Sequence, residues 1–286
     1  MHAGKNCPCI LALFQKRIEG DDSLLELAGL RFAQAGMGTE FYAETPEELE
    51  GLLAYKPGPE APATVHLKRG LNVFKKEDRD LVIEFAHRGK GKLLGLVTHD
   101  QPELADDPAA YRDALTGMNS RMAKDGPLLF IEYATGLDIE RYTDFFRLLR
   151  DLERISACID TGHMGIWKAR SFFAGIHPGM DACSLRPDDP SLPGLLGNVQ
   201  KAVDSSLPAV LYAVRGLAAL GKHIHFHLHD GHPLAPENPF GVSDHMSFFG
   251  MIPLPSGFRD RKALDLMYGI RGLVSIVTES VSQIGR

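Results

Sequence analysis

The chain has 286 residues, 44% of them hydrophobic, which is enough apolar material for one large core. Its formal net charge is −6 and no block of lysines and arginines stands out, so the composition argues against a nucleic-acid partner. It contains no run of about 18 apolar residues, and we therefore expect no membrane-spanning segment and no membrane partner.

Short apolar runs typical of β-strands recur at roughly 30-residue intervals. They lie near residues 9–14, 39–43, 63–67, 93–98, 128–133, 156–160, 223–229 and 274–279. The helix-like stretches between them include 23–34, 78–87 and 139–153, whose Tyr142 and Leu149 fall on one apolar stripe. This repeated alternation predicts an α/β fold, with a parallel sheet closed by right-handed crossovers into a (β/α)8 TIM barrel.

We expect residues 1–286 to form a single TIM-barrel domain. The interval from His163 to His223 is about twice as long as one crossover needs. Its part 177–194 is rich in proline, glycine and aspartate, which predicts an elaborated loop or insertion at about 164–207. This segment is either a lid over a substrate or an ordinary surface excursion.

The most informative feature is a set of histidines and carboxylates at the ends of the apolar runs. The set comprises His66, His99, Glu132, Asp160, His163, His227 and Glu279, with His245 in a predicted loop. Because the strands of such a barrel end at one mouth, these side chains predict a divalent-metal site at the C-terminal mouth of the strands. Singly, each carboxylate could instead cap the following helix; Gly162 is expected to allow a sharp bend between Asp160 and His163.

Histidines alternate along the seventh predicted strand. His223, His225, His227 and His229 all fall on one face, where four unpartnered imidazoles would be costly to bury. We interpret His223 and His225 as structural, and we expect one of His227 and His229, nearer the strand end, to bind metal.

Other polar residues receive plainer interpretations. The four cysteines form no CxxC pair, which favours a reduced protein of the cytoplasm. Glu40 and Glu44, around the second strand, are expected to be solvated. Lys68 and Arg69 follow His66 and could bind a phosphate or remain solvated.

Three segments together resemble the xylose-isomerase-like TIM barrels, which include sugar isomerases, epimerases and endonuclease IV-like proteins. They are CysIleAspThrGlyHis (158–163), GluTyrAlaThrGly (132–136) and HisLeuHisAsp (227–230). The resemblance covers the chain from about the third strand onward, and it selects His227 over His229 as the ligand. In the isomerase type, it implies one metal ion held by Glu132, Asp160, His227 and Glu279.

The endonuclease IV type binds three zinc ions and adds further histidines. The positions that match here are His66, His99, His163 and His245. The family's Asp-x-His pair is not matched, since Asp244 adjoins His245 directly.

The function ranked first is a sugar or sugar-phosphate isomerase or epimerase that depends on Mn²⁺, Mg²⁺ or Co²⁺. Glu132 and Glu279 would exchange protons through a metal-stabilised enediolate, while His163 would position a substrate hydroxyl. The alternative is a multi-zinc phosphoesterase in which Glu132 bridges two ions, and the surplus histidines favour it. A barrel that binds metal without turnover is a third option. The partner is a small sugar or sugar phosphate rather than nucleic acid, and a homo-oligomer is compatible with the resemblance.

Overall fold

The structure is a computed structural model that describes residues 11–12, 21–36, 38–56, 58–134, 137–186 and 188–227. The chain forms two compact units. Unit 1 comprises residues 1–136 and 145–157, and unit 2 comprises residues 137–144 and 158–286. Two of the three boundaries between them fall inside secondary structure, at 144/145 in a helix and at 157/158 in a strand.

Unit 1 contains a curled sheet of six parallel strands that follow one another in chain order. They are β1 (Leu11–Ala12), β2 (Gly38–Ala43), β3 (Ala63–Leu67), β4 (Gly95–His99), β5 (Leu128–Glu132) and β6 (Ile155–Asp160). The last residues of β6 belong to unit 2, where β7 (Ile224–His227) is the next strand in the sheet order.

Helices separate the strands. The first five are α1 (Asp22–Gln34), α2 (Pro46–Leu52), α3 (Lys76–Arg88), α4 (Glu103–Asp106) and α5 (Pro108–Arg121). The others are α6 (Ile139–Leu148), α7 (Thr161–Ile176), α8 (Leu192–Asp204) and α9 (Ser206–Ala219), with 3₁₀ turns at Leu53–Tyr55 and Ala182–Ser184. In the described part of the chain, none of these helices combines the length and the hydropathy that crossing a bilayer requires.

The predicted α/β fold with a parallel sheet is confirmed. Each of the runs near 39–43, 63–67, 93–98, 128–133 and 156–160 is a strand. The apolar stripe predicted within 139–153 is buried, since Tyr142, Phe145, Phe146 and Leu149 all lie in the core. Hydrophobic periodicity is therefore a sufficient guide to the elements themselves.

The prediction of a closed (β/α)8 barrel is wrong for the residues that the structure describes. Their sheet order runs from β1 to β7 and does not return from β7 to β1. The predicted eighth strand, 274–279, lies outside the described residues. An apolar run can mark a strand, but closure depends on pairing between the first and last strands, which no single run encodes.

Several helices begin at a polar cap followed by a proline. The Thr45 hydroxyl accepts a hydrogen bond from the Glu48 backbone N–H at 3.2 Å, and Pro46 opens α2. Asp107 caps α5 in the same way, ahead of Pro108. A side-chain oxygen satisfies a backbone N–H in the first turn, and proline needs no partner there. In α9, which begins at Ser206, Pro208 likewise lies in the first turn.

The predicted insertion at about 164–207 is largely helical. It contains most of α7 and all of α8, with the 3₁₀ turn Ala182–Ser184 in the proline-rich part between them. These pieces share a buried apolar cluster within unit 2, whose members are Ala169, Phe173, Ala182, Leu185, Leu192, Val199 and Ala202. The segment is thus held by its own hydrophobic packing.

Register places the polar side chains of unit 1 on one face of the sheet. Tyr42 pairs with His66, and His99 pairs with Glu132. His66 pairs with Val97, which stands two residues before His99, so the four polar residues share a face because side chains alternate along a strand. The opposite face carries buried apolar side chains, among them Phe41, Val65, Leu96 and Leu129.

Candidate metal centre

The centre of the polar face in unit 1 is the carboxylate of Glu132, the last residue of β5. This side chain has no exposed surface. Its Oε2 atom lies 2.9 Å from His66 Nε2 and 3.3 Å from His99 Nε2. The three residues come from β5, β3 and β4, at or next to the last residue of each strand. The expectation that strand-end residues converge is therefore met for these three.

Backbone contacts determine which nitrogen of His66 faces the carboxylate. His66 Nδ1 lies 2.8 Å from the Leu67 carbonyl oxygen, which can only accept, so Nδ1 must carry the proton. A neutral imidazole has one such proton, and Nε2 then presents a lone pair to Glu132 Oε2. Two acceptors at this distance require a cation between them, either a second proton, carried by the ring or by the carboxyl group, or a metal ion.

The distances fit a shared metal ion. Two ligand atoms bound to one zinc or magnesium ion at ordinary bond lengths are roughly 3.0–3.4 Å apart. The separations of 2.9 Å for His66 and 3.3 Å for His99 from the same carboxylate oxygen are close to this range. Each imidazole is therefore close enough to Glu132 Oε2 to share an ion with it.

Aromatic packing holds the two imidazoles. The His66 ring stacks on Tyr42 with centroids 5.5 Å apart, and it meets the His99 ring edge-on at 5.0 Å. The Tyr42 hydroxyl accepts a hydrogen bond from the Arg69 backbone N–H at 3.2 Å. The segment after β3, with its cationic Lys68 and Arg69, is thereby attached to the packing that supports His66.

Glu40 was expected to be solvated, and that expectation is wrong. Its carboxylate is buried and accepts a hydrogen bond from the Thr64 hydroxyl at 2.7 Å. Glu40 stands two residues before Tyr42 in β2, so alternation places it on the same polar face, one layer further from the strand ends. The two-residue spacing between Glu40 and Tyr42 could have predicted this burial from the sequence. Glu44, beyond the end of β2, is exposed as expected.

A second buried acid, Asp100, was not singled out in the sequence. Its backbone N–H donates to the Glu132 carbonyl oxygen at 2.8 Å, and its side chain accepts from the Ala134 N–H at 3.0 Å. Asp100 therefore holds the backbone at Glu132 and two residues beyond it. Its place directly after His99, in the sequence ThrHisAsp, could have suggested such a positioning role.

In unit 2, Asp160 is the N-cap of α7. One carboxylate oxygen accepts from the His163 backbone N–H at 2.7 Å, and the other lies 4.0 Å from His163 Nδ1. The bend expected at Gly162 is wrong, because α7 already begins at Thr161. The chain turns at Asp160, whose side chain satisfies the first turn, and no left-handed glycine is required.

The histidines of β7 are placed as the alternation predicts. His225 and His227 have ring centroids 5.3 Å apart, and both are half-buried, whereas His223 is exposed. The His227 carbonyl oxygen accepts a hydrogen bond from the Thr161 hydroxyl at 3.2 Å, so the end of β7 is fixed to the start of α7.

Some predicted ligands lie outside the described residues. These are Glu279, His245 and His229. Glu132 belongs to unit 1, and Asp160 and His227 belong to unit 2. The predicted four-ligand site that joins them with Glu279 therefore stays a prediction.

Comparisons with known proteins add little. No family model matches the chain, and no curated protein matches it. One solved structure, "The crystal structure of AsfvAP:AG", is similar with 18% identity over 86% of this chain and 75% of that chain, at a TM-score of 0.47. A likeness this weak supports no conclusion about activity.

The resemblance to the xylose-isomerase-like TIM barrels is wrong. The described strands form a parallel sheet that does not close with eight strands, and neither a family model nor a curated protein supports that family. The three quoted segments are short, and strand-end acids and histidines recur in many α/β proteins. The chemistry of the site must therefore be argued from its own residues.

Proposed function

We propose that the chain is a divalent-metal-dependent hydrolase of a phosphate ester, with an ion held in unit 1 by His66, His99 and Glu132. One observation carries the proposal. His66 and His99 direct Nε2 at a single oxygen of a fully buried carboxylate, while a backbone carbonyl fixes the proton of His66 on Nδ1. Ligand histidines in metalloproteins are commonly oriented by such an outer hydrogen bond.

The donor set indicates the class of metal. Two imidazole nitrogens and one carboxylate oxygen suit zinc and the neighbouring divalent ions better than calcium or magnesium, which prefer oxygen. A bound ion of this class supplies a Lewis acid that polarises a phosphoryl oxygen and makes water more acidic. Three protein donors leave coordination positions for substrate and water.

The surroundings favour an anionic substrate. Lys68 is half-buried and Arg69 is exposed, and both directly follow β3, whose His66 belongs to the site. The hydrogen bond from the Arg69 N–H to the Tyr42 hydroxyl fixes the start of this cationic segment. Guanidinium and ammonium groups bind phosphate oxygens through charge-assisted hydrogen bonds.

The remaining residues keep the site in position. Asp100 holds the backbone at Glu132 and at Ala134, and Tyr42 supports the His66 ring. Complete burial of Glu132 keeps bulk water from its carboxylate, which strengthens its interaction with any cation nearby. The chain thus supplies an oriented and shielded set of donors.

The isomerase or epimerase is the second candidate, and the burial of Glu132 favours it. A shielded carboxylate beside an imidazole can move a proton to or from a carbon atom. That reaction also needs the predicted second base, Glu279, which lies outside the described residues. His99 has no required role in this scheme, whereas the hydrolase uses it as a ligand.

The two candidates are separated by one set of assays on tag-free protein. The protein is stripped with a chelator, reloaded with Zn²⁺, Mn²⁺, Co²⁺ or Mg²⁺ singly, and analysed for bound metal. Hydrolysis is followed with p-nitrophenyl phosphate and its diester. Isomerase chemistry is followed by NMR as deuterium uptake from D₂O into ketoses and ketose phosphates.

We expect hydrolysis that depends on the added ion and that falls at least about 100-fold in Glu132→Gln and His99→Ala. Exposed residues provide matched controls, Glu140→Gln and His87→Ala, which should keep normal rates. Deuterium uptake into a ketose without hydrolysis would instead support the isomerase. Normal hydrolysis by Glu132→Gln would remove this site from the reaction.

A further inference from the structure

Unit 2 contains a group of possible ligands that the proposed function does not use. Cys158 lies on β6, and His225 and His227 lie on the neighbouring strand β7. Each of the three offers one ligand atom, and these atoms all lie within 4.8 Å of one another. From this geometry we infer a second metal site, in which the Cys158 thiolate and the imidazoles of His225 and His227 bind a zinc-like divalent ion.

The sequence places these donors together for a simple reason. His225 and His227 are two residues apart on β7, so both side chains leave the same face of the strand. Their rings meet edge-on at 5.3 Å. The neighbouring strand β6 supplies the sulfur. Two strands thus contribute three donors without any loop.

The spacing needs only a small contraction. One sulfur and two nitrogens bound to a tetrahedral zinc ion are separated by roughly 3.3–3.8 Å. The ligand atoms of the three residues lie within 4.8 Å of one another. Rotation of an imidazole or of the thiol side chain is enough to bring them to the shorter separations of a zinc site.

Hydrogen bonds fix the backbone on both strands. The Tyr142 hydroxyl donates to the Cys158 carbonyl oxygen at 3.0 Å, and the Thr161 hydroxyl donates to the His227 carbonyl oxygen at 3.2 Å. Cys158 is fully buried and is not part of a disulfide, while both imidazoles are half-buried. An ion would therefore reach the thiol from the side of the imidazoles.

The donor chemistry separates this site from the one in unit 1. A thiolate is a soft ligand that selects zinc, cobalt and similar ions and disfavours magnesium, calcium and manganese. The unit 1 site offers nitrogen and oxygen only. A thiolate signal that depends on Cys158 therefore reports on the site in unit 2, whatever becomes of the proposed hydrolase.

Cobalt titration of the metal-free, tag-free chain provides the direct test. Thiolate bound to Co²⁺ gives an intense charge-transfer absorption in the near ultraviolet, which imidazole and carboxylate ligands lack. We expect this band in the unaltered chain, its loss in Cys158→Ser, and Co²⁺ binding weakened more than about tenfold in His225→Ala. Persistence of the band in Cys158→Ser, or its absence when Co²⁺ is bound, would overturn the inference.

Cys183 provides the matched control. It lies in the same unit, but among the described residues it belongs to no group of possible metal ligands. Cys183→Ser should keep the full charge-transfer band. Loss of the band in Cys183→Ser would show that Cys183, and not Cys158, supplies the thiolate.

A second measurement needs no variant at position 158 to fold. In urea below the unfolding transition, where local opening exposes the buried thiol, zinc should slow the reaction of one thiol with a disulfide reagent, and peptide mapping should identify it as Cys158. An unchanged rate of Cys158 modification with saturating zinc would contradict the site. His66→Ala should keep both the band and the protection while losing metal from unit 1, so failure of one proposal is distinguishable from failure of the other.

Discussion

At the scale of single residues, hydrogen-bond partners decide what a buried polar group does for the protein. Tyr111 and Tyr142 are both fully buried. The Tyr142 hydroxyl donates to a backbone carbonyl oxygen, whereas the Tyr111 hydroxyl has no hydrogen-bond partner among the described residues. Burial raises the pKa of Tyr111 far above its usual value, and the nearby carboxylates of Asp100 and Glu103 add to the effect.

This contrast gives a paired prediction for removal of each hydroxyl. Tyr111→Phe should raise the free energy of unfolding by up to about 1 kcal/mol, because an unsatisfied polar group leaves the core. The ring would keep its edge-on contacts with Phe74 and Phe145. Tyr142→Phe should lower the free energy of unfolding by about 1–3 kcal/mol, because the Cys158 carbonyl loses its donor.

Urea unfolding followed by circular dichroism measures both changes. Fluorescence of the single tryptophan, Trp167, reports on unit 2 separately. A loss of more than about 1 kcal/mol in Tyr111→Phe would mean that its hydroxyl is bound by a residue outside the described part of the chain.

At the scale of elements, Asp160 has two interpretations that substitution can separate. It caps α7, and it was predicted from sequence as a metal ligand. Asparagine caps helices about as well as aspartate but is a much weaker metal ligand. Asp160→Asn should therefore change the free energy of unfolding by about 0.5 kcal/mol or less, and Asp160→Ala should lower it by about 1 kcal/mol.

The exposed cap Asp107 calibrates this test. It accepts a hydrogen bond from the Ala110 N–H at 2.9 Å, and nothing assigns it to a metal. Equal unfolding curves for the asparagine variants at 107 and 160, with metal lost only from Asp160→Asn, would support a ligand role for Asp160. A large loss of stability in Asp160→Asn would contradict the capping account.

Two helical glycines should respond in opposite directions to alanine. A Cβ atom at Gly117 in α5 would meet nothing within 4 Å, so Gly117→Ala should add about 0.5–1 kcal/mol through helix propensity. At Gly29 in α1, a Cβ atom would lie 2.9 Å from the Tyr55 backbone oxygen, and Gly29→Ala should cost about 1–3 kcal/mol.

Chemical denaturation of the two variants beside the parent chain measures the difference. A stabilised Gly29→Ala protein would show that α1 can move away from the turn Leu53–Tyr55 without loss, and the close approach would then have no structural importance.

At the scale of the whole molecule, the sequence predicts the elements better than their assembly. The strands and the polar residues at their ends follow from apolar periodicity, and parallel register then brings His66, His99 and Glu132 together. Barrel closure does not follow, because pairing between distant strands depends on the whole chain.

The errors within the site have local physical causes. Glu40 was assigned to solvent by its charge alone, although its spacing from Tyr42 places both on one face of β2. Gly162 was read as a bend because glycine often marks one, but the capping carboxylate of Asp160 begins the helix there. Nothing in the run of histidines indicated that Cys158, which lies 67 positions earlier in the chain, would be close to His225.

Metal binding should also be visible as stability of the whole chain. An ion that binds only the folded protein, at 100 times its dissociation constant, adds about 2.7 kcal/mol, which corresponds to a rise in Tm of roughly 5–10 °C for a protein of this size. We expect Zn²⁺ to raise the Tm of the stripped chain and a chelator to reverse the rise. His66→Ala should lose most of the rise in Tm that metal binding in unit 1 causes, and the exposed-residue variant His87→Ala should keep that rise.

Differential scanning fluorimetry over a range of Zn²⁺ concentrations gives the Tm of each protein. The shift should grow with the logarithm of free zinc above the dissociation constant, because binding is linked to folding. If a His66 imidazolium paired with Glu132 and no metal were bound there, His66→Ala would not reduce the rise in Tm that zinc causes in the parent chain. Identical zinc-dependent shifts in the parent chain and in His66→Ala would therefore favour the proton over the metal ion as the cation between His66 and Glu132.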